Sequence, residues 1–407
     1  MKPNIDPKKI DALVSSRFIE RVFPSPDMLR EKLLSGGRMS IYVGVDPTSP
    51  HLHLGHSTNL LLMKQFQELG HRVILLIGDF TAQIGDPTGK SITRRALTHD
   101  QVLCHAEGYK DQAGSILDFS SKTNPAEFLF NSEWLSKLSP AEIIGLMAKI
   151  TVGQMIKRDM FQERIKNQKE IYLHEFVYPL LQGYDSVAMN VDAEMGGNDQ
   201  TFNMLVGRDL AKAYLGKEKI VVATKLLINP KTEAKLMSKS EGNYIALSET
   251  SEEIYGKVMA LPDEVVGELL RLCTQMPTAD IRAFEEANDP KAAKEAAAFA
   301  VAELYHGKEA AQAAKEAFAS RFAKKEIPLD IPERAYPVLK IKTQGTAQVL
   351  VDIDVATSKG AARRLIAQNG VRIDGQVPGE YIELNPGSQT CIISWGKRHV
   401  IKLVLTS

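Results

Sequence analysis

Two histidines, His53 and His56, bracket Leu54-Gly55 early in the chain, and Met237-Ser238-Lys239-Ser240 stands far downstream. Imidazoles three residues apart share one face of a helix, and each can donate to a phosphate oxygen. Gly55 has no side chain, so a flat base can lie against its backbone. A helix beginning at this turn directs free N–H groups outward. Its dipole favours an anion there by about 0.3–1 kcal/mol at an exposed site. The segment from Lys235 to Asn243 mixes small hydroxyl residues with glycine, the composition of a flexible loop. Lys239 on such a loop can meet a phosphate as charge shifts in a transition state and then withdraw. This set grips a nucleoside triphosphate and then lets it go.

Two further segments carry polar chemistry. Gly85-Asp86-Pro87-Thr88-Gly89-Lys90-Ser91 approaches a P-loop but encloses three residues between its glycines where that pattern needs four. Lys90 and Arg94, four apart, still face the same way on a helix opening here. They read as phosphate clamps or as ordinary solvated charges. Tyr178, Gln182 and Asp185 recur at i, i+4 and i+7, which is one face of a helix whose neighbours Leu180 and Leu181 are apolar. Such a face wants a polar ligand, since buried groups left unpaired are costly. As a surface stripe it would need none. Met195-Gly196-Gly197-Asn198-Asp199-Gln200 adds a glycine turn followed by polar side chains suited to a sugar.

These residues need a scaffold. The spacing predicts a strand over 39–45, a helix over 56–69 ending at Gly70, and a buried strand over 72–77. A strand, a helix and a second strand in this order make a βαβ unit, with the nucleotide site at the carboxyl edge of a parallel sheet. The expected fold is α/β: a Rossmann-like parallel-sheet catalytic domain over 1–246, opening on a helical lead-in. An α-helical domain follows over 247–325, with two helices meeting near His306-Gly307. A linker marked by Pro328, Pro332 and Pro337 spans 326–337, and a small α+β module occupies 338–407. GxGxxG is absent, which argues against an NAD enzyme.

Composition sets outer limits. The chain has 407 residues, 44% hydrophobic and 25% charged, with zero net charge. These values fit a soluble, multidomain protein whose nucleic-acid contacts would be local patches. The amino terminus lacks the apolar core of a signal peptide, and no apolar run is long enough for a membrane span. Cys104, Cys273 and Cys391 lie far apart without metal spacing, so three free thiols in a cytoplasmic protein and no resident metal site are expected.

His53-Leu54-Gly55-His56 and Leu236-Met237-Ser238-Lys239-Ser240 resemble the HIGH and KMSKS signatures of class I aminoacyl-tRNA synthetases. Leu236 replaces the first signature lysine, Lys235 lies one place upstream, and Lys239 matches the second. Tyr42-Val43-Gly44-Val45-Asp46-Pro47-Thr48, the 85–90 loop, the 178–185 helix and Gly196-to-Gln200 follow in the order of bacterial-type tyrosyl-tRNA synthetases. The resemblance covers nearly the whole chain. It implies activation of L-tyrosine with ATP, Mg²⁺ accompanying the phosphates, and transfer to tyrosine tRNA. It places Tyr42 and Asp185 on the phenol, and Tyr178, Gln182 and Asp86 on the ammonium, with Gln200 near the carboxylate. Gly44, Asp46, Gly55, Gly197 and Asp199 would hold ribose and adenylate. Thr48, His53 and His56 would serve the nucleotide and its outer phosphates, while Lys90, Arg94 and Lys239 would bind departing pyrophosphate. The rivals are a tryptophan-activating enzyme of similar fold, an RNA-binding protein with a relic synthetase domain, and a P-loop NTPase.

The segment 338–407 carries nine basic and five acidic residues, a net of +4. Lys359, Arg363, Arg364 and Arg372, with a turn at Asp374-Gly375, resemble an S4-type RNA-binding module able to lie along an RNA backbone. Helices over 141–177, with Ile143, Leu146, Met147, Met155 and Ile156, fit a core or a homodimer face equally well. The resemblance favours the homodimer.

Overall fold

The computed structural model describes residues 2–88, 97–237, 244–287, 289–323, 333–384, 388, 390–395 and 399–406. It divides into two compact units, 1–318 and 319–407. The first is built on a six-stranded sheet. Its strands are β1 (Ile19–Phe23), β2 (Ser40–Val45), β3 (Arg72–Ile77), β4 (Glu127–Phe130), β5 (Ala193–Gly197) and β6 (Ile220–Thr224), in the order β1-β6-β5-β2-β3-β4. All neighbours are parallel except β1, which runs antiparallel to β6. From β2 the chain crosses to β3 on one side, and β5 later pairs on the other. Strand order therefore reverses at β2 and β5, and a crevice opens beyond their carboxyl ends.

The apolar run of 72–77 is a strand buried on both faces, as expected of a parallel sheet. The helix linking β2 to β3 runs Leu54–Glu68. It stops where Gly70 turns to φ +89°, and a Cβ there would also lie 3.1 Å from the Lys2 carbonyl. The lead-in departs from the all-helical expectation: β1 lies between the helices Pro7–Val14 and Pro26–Leu34. It is a five-residue edge strand with Glu20 and Arg21 exposed, so it shows no apolar alternation.

The described residues of 251–318 fall mainly in helices, and Pro290–His306 and Lys308–Ala323 meet at Gly307, φ +82°. Val258, Leu269 and Val301 share one apolar core with Leu54, Leu61 and Leu75 of the sheet layer. The helices and the sheet thus belong to one unit.

The second unit has its own core of Tyr336, Ile341, Val349, Leu350, Val371, Ile393 and Leu403. Its sheet orders β7 (Glu333–Pro337), β10 (His399–Thr406), β9 (Thr390–Trp395) and β8 (Val371–Ile373). The linker expected over 326–337 is, at 333–337, a strand paired with β10. A proline at its last position leaves the preceding backbone able to pair. No helix among the described residues is long and apolar enough to cross a membrane.

Candidate active site

The histidine turn is locked by its own side chains. His53 is the N-cap of the 54–68 helix, and its Nδ1 accepts from Gly55 N at 3.1 Å. His56 Nδ1 accepts in return from His53 N at 3.1 Å, a reciprocal capping box made from two imidazoles. Their rings lie 4.1 Å apart between centroids. The Nδ1 atoms thus face the backbone, and a ring whose Nδ1 accepts carries its proton on Nε2. A Cβ on Gly55 would sit 2.9 Å from the His53 ring, so the ring position requires glycine.

The downstream loop is anchored on this same turn. Leu54 N donates to Ile245 O at 3.1 Å and Leu247 N to Leu52 O at 2.9 Å. A Cβ on Gly55 would lie 3.5 Å from Met237 Cβ. Leu236 and Met237 are buried in the main core, and Leu236 N donates to Leu227 O at 3.0 Å. The position where the signature has its first lysine is therefore a core anchor here. Lys235 reaches Asp199 Oδ2 at 2.6 Å instead, an exposed ion pair. Lys239, Lys90 and Arg94 lie outside the described residues.

The sheet end supplies the polar floor. Tyr42 on β2 is buried, and its Oη lies 2.9 Å from Ser186 Oγ. Gly44, two residues on, is exposed. Asp46 accepts from Tyr178 Oη at 2.9 Å and from Thr81 Oγ1 at 2.7 Å. A Cβ on Gly78 would fall 2.0 Å from that carboxylate. Thr48 N donates to Asp46 O at 2.8 Å, so the chain turns sharply just past β2.

The helix Leu173–Ala188 brings Tyr178, Gln182 and Asp185 to one face, as their spacing requires. Asp185 is buried and accepts from Trp134 Nε1 at 2.7 Å and Asn131 Nδ2 at 3.3 Å. Gln182 Oε1 accepts from Asn203 Nδ2 at 2.9 Å, which also donates to Gln200 Oε1 at 3.0 Å. Gln200 Nε2 donates to Asp86 Oδ2 at 2.7 Å, and Thr88 N holds Asp86 Oδ1 at 2.9 Å. Asp86, Gln200, Asn203 and Gln182 therefore form one unbroken chain of hydrogen bonds across the crevice.

Comparison with known proteins accords with this geometry. The pattern of the tRNA synthetases class I (W and Y) matches residues 34–323. A Geobacter metallireducens tyrosine–tRNA ligase is 42% identical over 93% of this chain and 94% of its own. A Thermotoga maritima tyrosine–tRNA ligase is 43% identical over 86% of this chain and 87% of its own. The chain belongs to the bacterial-type tyrosyl-tRNA synthetases. Its fold also matches the crystal structure of a C-terminally truncated Aspergillus nidulans mitochondrial tyrosyl-tRNA synthetase. That likeness has a TM-score of 0.63 at 24% identity over 77% of this chain and 93% of the other.

Electrostatics in this synthetase crevice follow from burial. Burial pushes the Tyr42 and Tyr178 hydroxyls well above their usual range, aided by Glu194 and Asp185 for Tyr42 and by Asp46 and Asp86 for Tyr178. It also pushes Asp185 up, against the pull of the Trp134 and Asn131 donors. Arg158 donates to Thr88 Oγ1 at 2.7 Å and stacks 4.6 Å over Phe202. Burial lowers it to about 10, while Asp86 and Tyr178 hold it up.

Sequence reasoning did not find Trp134, Asn131, Ser186, Asn203 or Arg158. Trp134 and Asn131 follow β4, far in sequence from Asp185, and no periodicity links them. Ser186 adjoins Asp185, and only its burial against Tyr42 marks it.

In the second unit Lys359, Arg363 and Arg364 are exposed on the helix Lys359–Ala367, and Arg372 is exposed on β8. Asp374 and Gly375 adopt φ +47° and +81°, and Ile373 exchanges backbone bonds with Gln376. This is a two-residue hairpin turn. The 141–177 helices divide: Leu146 and Met155 are buried, whereas Ile144, Met147, Val152 and Leu173 are exposed.

Proposed function

We propose that this synthetase activates L-tyrosine in the crevice beyond β2 and β5 and then transfers it to the 3′ end of tyrosine tRNA. The observation that carries the reading is the joining of two halves on one sheet edge. Tyr42 and Asp185 are buried beside one another's helix and strand, and Met237, Ile245 and Leu247 pack on the histidine turn.

The substrate phenol donates to Asp185 and accepts from Tyr42. Tyr178, Gln182 and Asp86 take the ammonium, and Gln200, tied to Asp86, faces the carboxylate. ATP lies along Gly44, Asp46, Thr48, Gly55, Gly197 and Asp199. His53 and His56 meet its phosphates, and Lys90, Arg94 and Lys239 meet pyrophosphate. Magnesium enters with ATP as part of that substrate. Among the described residues no group of three or more His, Cys, Asp or Glu side chains is placed to hold an ion.

The chemistry follows from these placements. The tyrosine carboxylate is already ionised and attacks the α-phosphorus directly, so the protein supplies no general base. One P–O bond forms, one breaks, and pyrophosphate leaves with the electron pair. Acceleration comes from positioning and from cations that meet charge on the leaving group. Rejection of phenylalanine comes from the Tyr42–Asp185 pair, whose bonds to the substrate an unhydroxylated ring cannot make. Rejection of this kind reaches about 10⁵ in this enzyme class.

The segment 338–407 binds tRNA through Lys359, Arg363, Arg364 and Arg372, and the 247–325 helices supply further tRNA contacts. The protein works in the cytoplasm as a homodimer; the exposed Ile144, Val152 and Leu173 support a self-association face. Sedimentation equilibrium tests the dimer. ATP–pyrophosphate exchange against each amino acid tests the activity: exchange with tyrosine is expected, and its absence in folded protein overturns the reading.

A further inference from the structure

Behind Tyr42 lies a buried ion pair that none of the roles above uses. Lys219, the residue before β6, and Glu194 on β5 are both fully enclosed, and the Lys219 ammonium contacts Glu194 Oε2. Lys219 Nζ also lies 2.8 Å from Ser186 Oγ, and Ser186 Oγ lies 2.9 Å from Tyr42 Oη. The space is built for the ammonium. A Cβ on Gly207 would fall 2.5 Å from Lys219 Nζ and 3.1 Å from both Ser186 Oγ and Glu194 Oε2.

Proton bookkeeping gives this chain a direction. An ammonium has three donors and no acceptor, so Ser186 accepts from Lys219. Ser186 then has one proton to give. Glu194 Oε2 also lies within reach, at 3.3 Å, while Oε1 accepts from Gln182 Nε2 at 3.0 Å. Tyr42 Oη is the nearer acceptor. A Tyr42 oxygen that accepts from Ser186 keeps its own proton; the Glu194 carboxylate opposite it on β5 also draws that proton, and Lys219, by neutralising Glu194, leaves it to the pocket. That is the polarity a phenol needs: it donates to the Asp185 carboxylate and must accept from Tyr42.

We infer that Lys219, held by Glu194, is a positioning residue that acts through Ser186 to present the Tyr42 O–H as a donor to the substrate phenol. The inference rests on the assignment of Tyr42 and Asp185 to the phenol. Burying a lysine costs several kcal/mol even when it is paired, and apolar replacements often stabilise such sites as well. A purely structural pair has no reason to end on the residue that reads the ligand.

The test is ATP–pyrophosphate exchange with tyrosine and with phenylalanine for Tyr42→Phe, Ser186→Ala and the double variant Lys219→Met/Glu194→Gln. Tyr42→Phe should reduce the tyrosine-over-phenylalanine ratio of kcat/KM; if it does not, the phenol assignment itself fails. Given that reduction, Ser186→Ala and the double variant should raise the tyrosine KM about 10-fold or more, with kcat and phenylalanine activation little changed. If Tyr42→Phe lowers the ratio but Ser186→Ala leaves it intact, the positioning role is overturned. Should the double variant not fold, Ser186→Ala decides alone, because it removes a single hydroxyl.

Discussion

Trp134 Nε1 donates to Asp185 Oδ1 across 2.7 Å, in a pocket where burial drives the Asp185 carboxyl well above its ordinary range. The indole bond opposes that drive, as does Asn131. Phenol binding needs the ionised acceptor, present above the Asp185 pKa and lost as pH falls through it. Trp134→Phe removes a donor and raises that pKa further. The expected result is a rise in tyrosine KM of about 10-fold and a shift of its acid limb to higher pH. KM measured against pH checks both; an unmoved limb contradicts the prediction.

Tyr178 and Asp46 make a second checkable pair. Tyr178 Oη donates to Asp46 Oδ2 at 2.9 Å, and the ring is almost wholly buried. Tyr178→Phe keeps the packing, removes one hydrogen bond to Asp46, and removes an ammonium contact. A hydrogen bond to a charged group is worth about 1.5–3 kcal/mol, so the tyrosine KM should rise about 10- to 100-fold. Steady-state exchange kinetics at fixed ATP reads it. An unchanged KM would place the ammonium elsewhere.

Much of this site was legible because its members lie on regular elements. The i, i+4, i+7 spacing of Tyr178, Gln182 and Asp185 already places them on one helix face, and the β2–helix–β3 unit already sets Tyr42 on a central strand and His53 at the start of the helix that follows it. What stayed hidden depends on contacts across the fold. Lys219 and Glu194 are ordinary surface residues by type, and only the pairing of β5 with β2, which sets Glu194 opposite Tyr42, and with β6 brings them behind Tyr42. The reach of Lys235 to Asp199 likewise depends on where Leu236 is anchored. β1 escapes a periodicity reading because a short, charged edge strand has no apolar period to show.

His71 couples the sheet to pH. It is buried, its Nδ1 accepts from Met39 N at 3.2 Å, and burial together with Arg38 lowers it to about 4. The unfolded chain carries this imidazole near 6.5. Between these values the unfolded state binds a proton that the folded state refuses, so stability is full above about 6.5 and declines towards 4. The decline amounts to at most about 3 kcal/mol. Urea midpoints from pH 7.5 to 4.5 should fall with acid in the wild type and fall less steeply in His71→Gln. Parallel curves would show that His71 is not the group responsible.

Leu236 fills the place of a signature lysine but lies in the core beside Leu227. Leu236→Lys restores the signature and asks the site to bury an ammonium or to release the anchor. Either outcome costs about 1–3 kcal/mol. Thermal unfolding should show a lowered midpoint, and exchange should show no gain in rate. A faster enzyme with an unchanged midpoint would mean that the loop can be anchored without Leu236.

The last expectation concerns the second unit, whose core is its own. Lys359, Arg363 and Arg364 project from one short helix into solvent, so replacing all three by alanine removes charge without opening the core. Removing one cation that neutralises a phosphate should flatten the salt dependence of RNA binding by roughly 0.7–0.9 in log–log slope. The triple variant should therefore bind tRNA more weakly at moderate salt, with a slope smaller by about 2–3 if each cation meets one phosphate. Tyrosine-dependent exchange, which needs no tRNA, should be unchanged. Titration of labelled tRNA across a salt series, alongside exchange, separates the outcomes. Unaltered tRNA affinity and slope would place the RNA-binding surface on other residues.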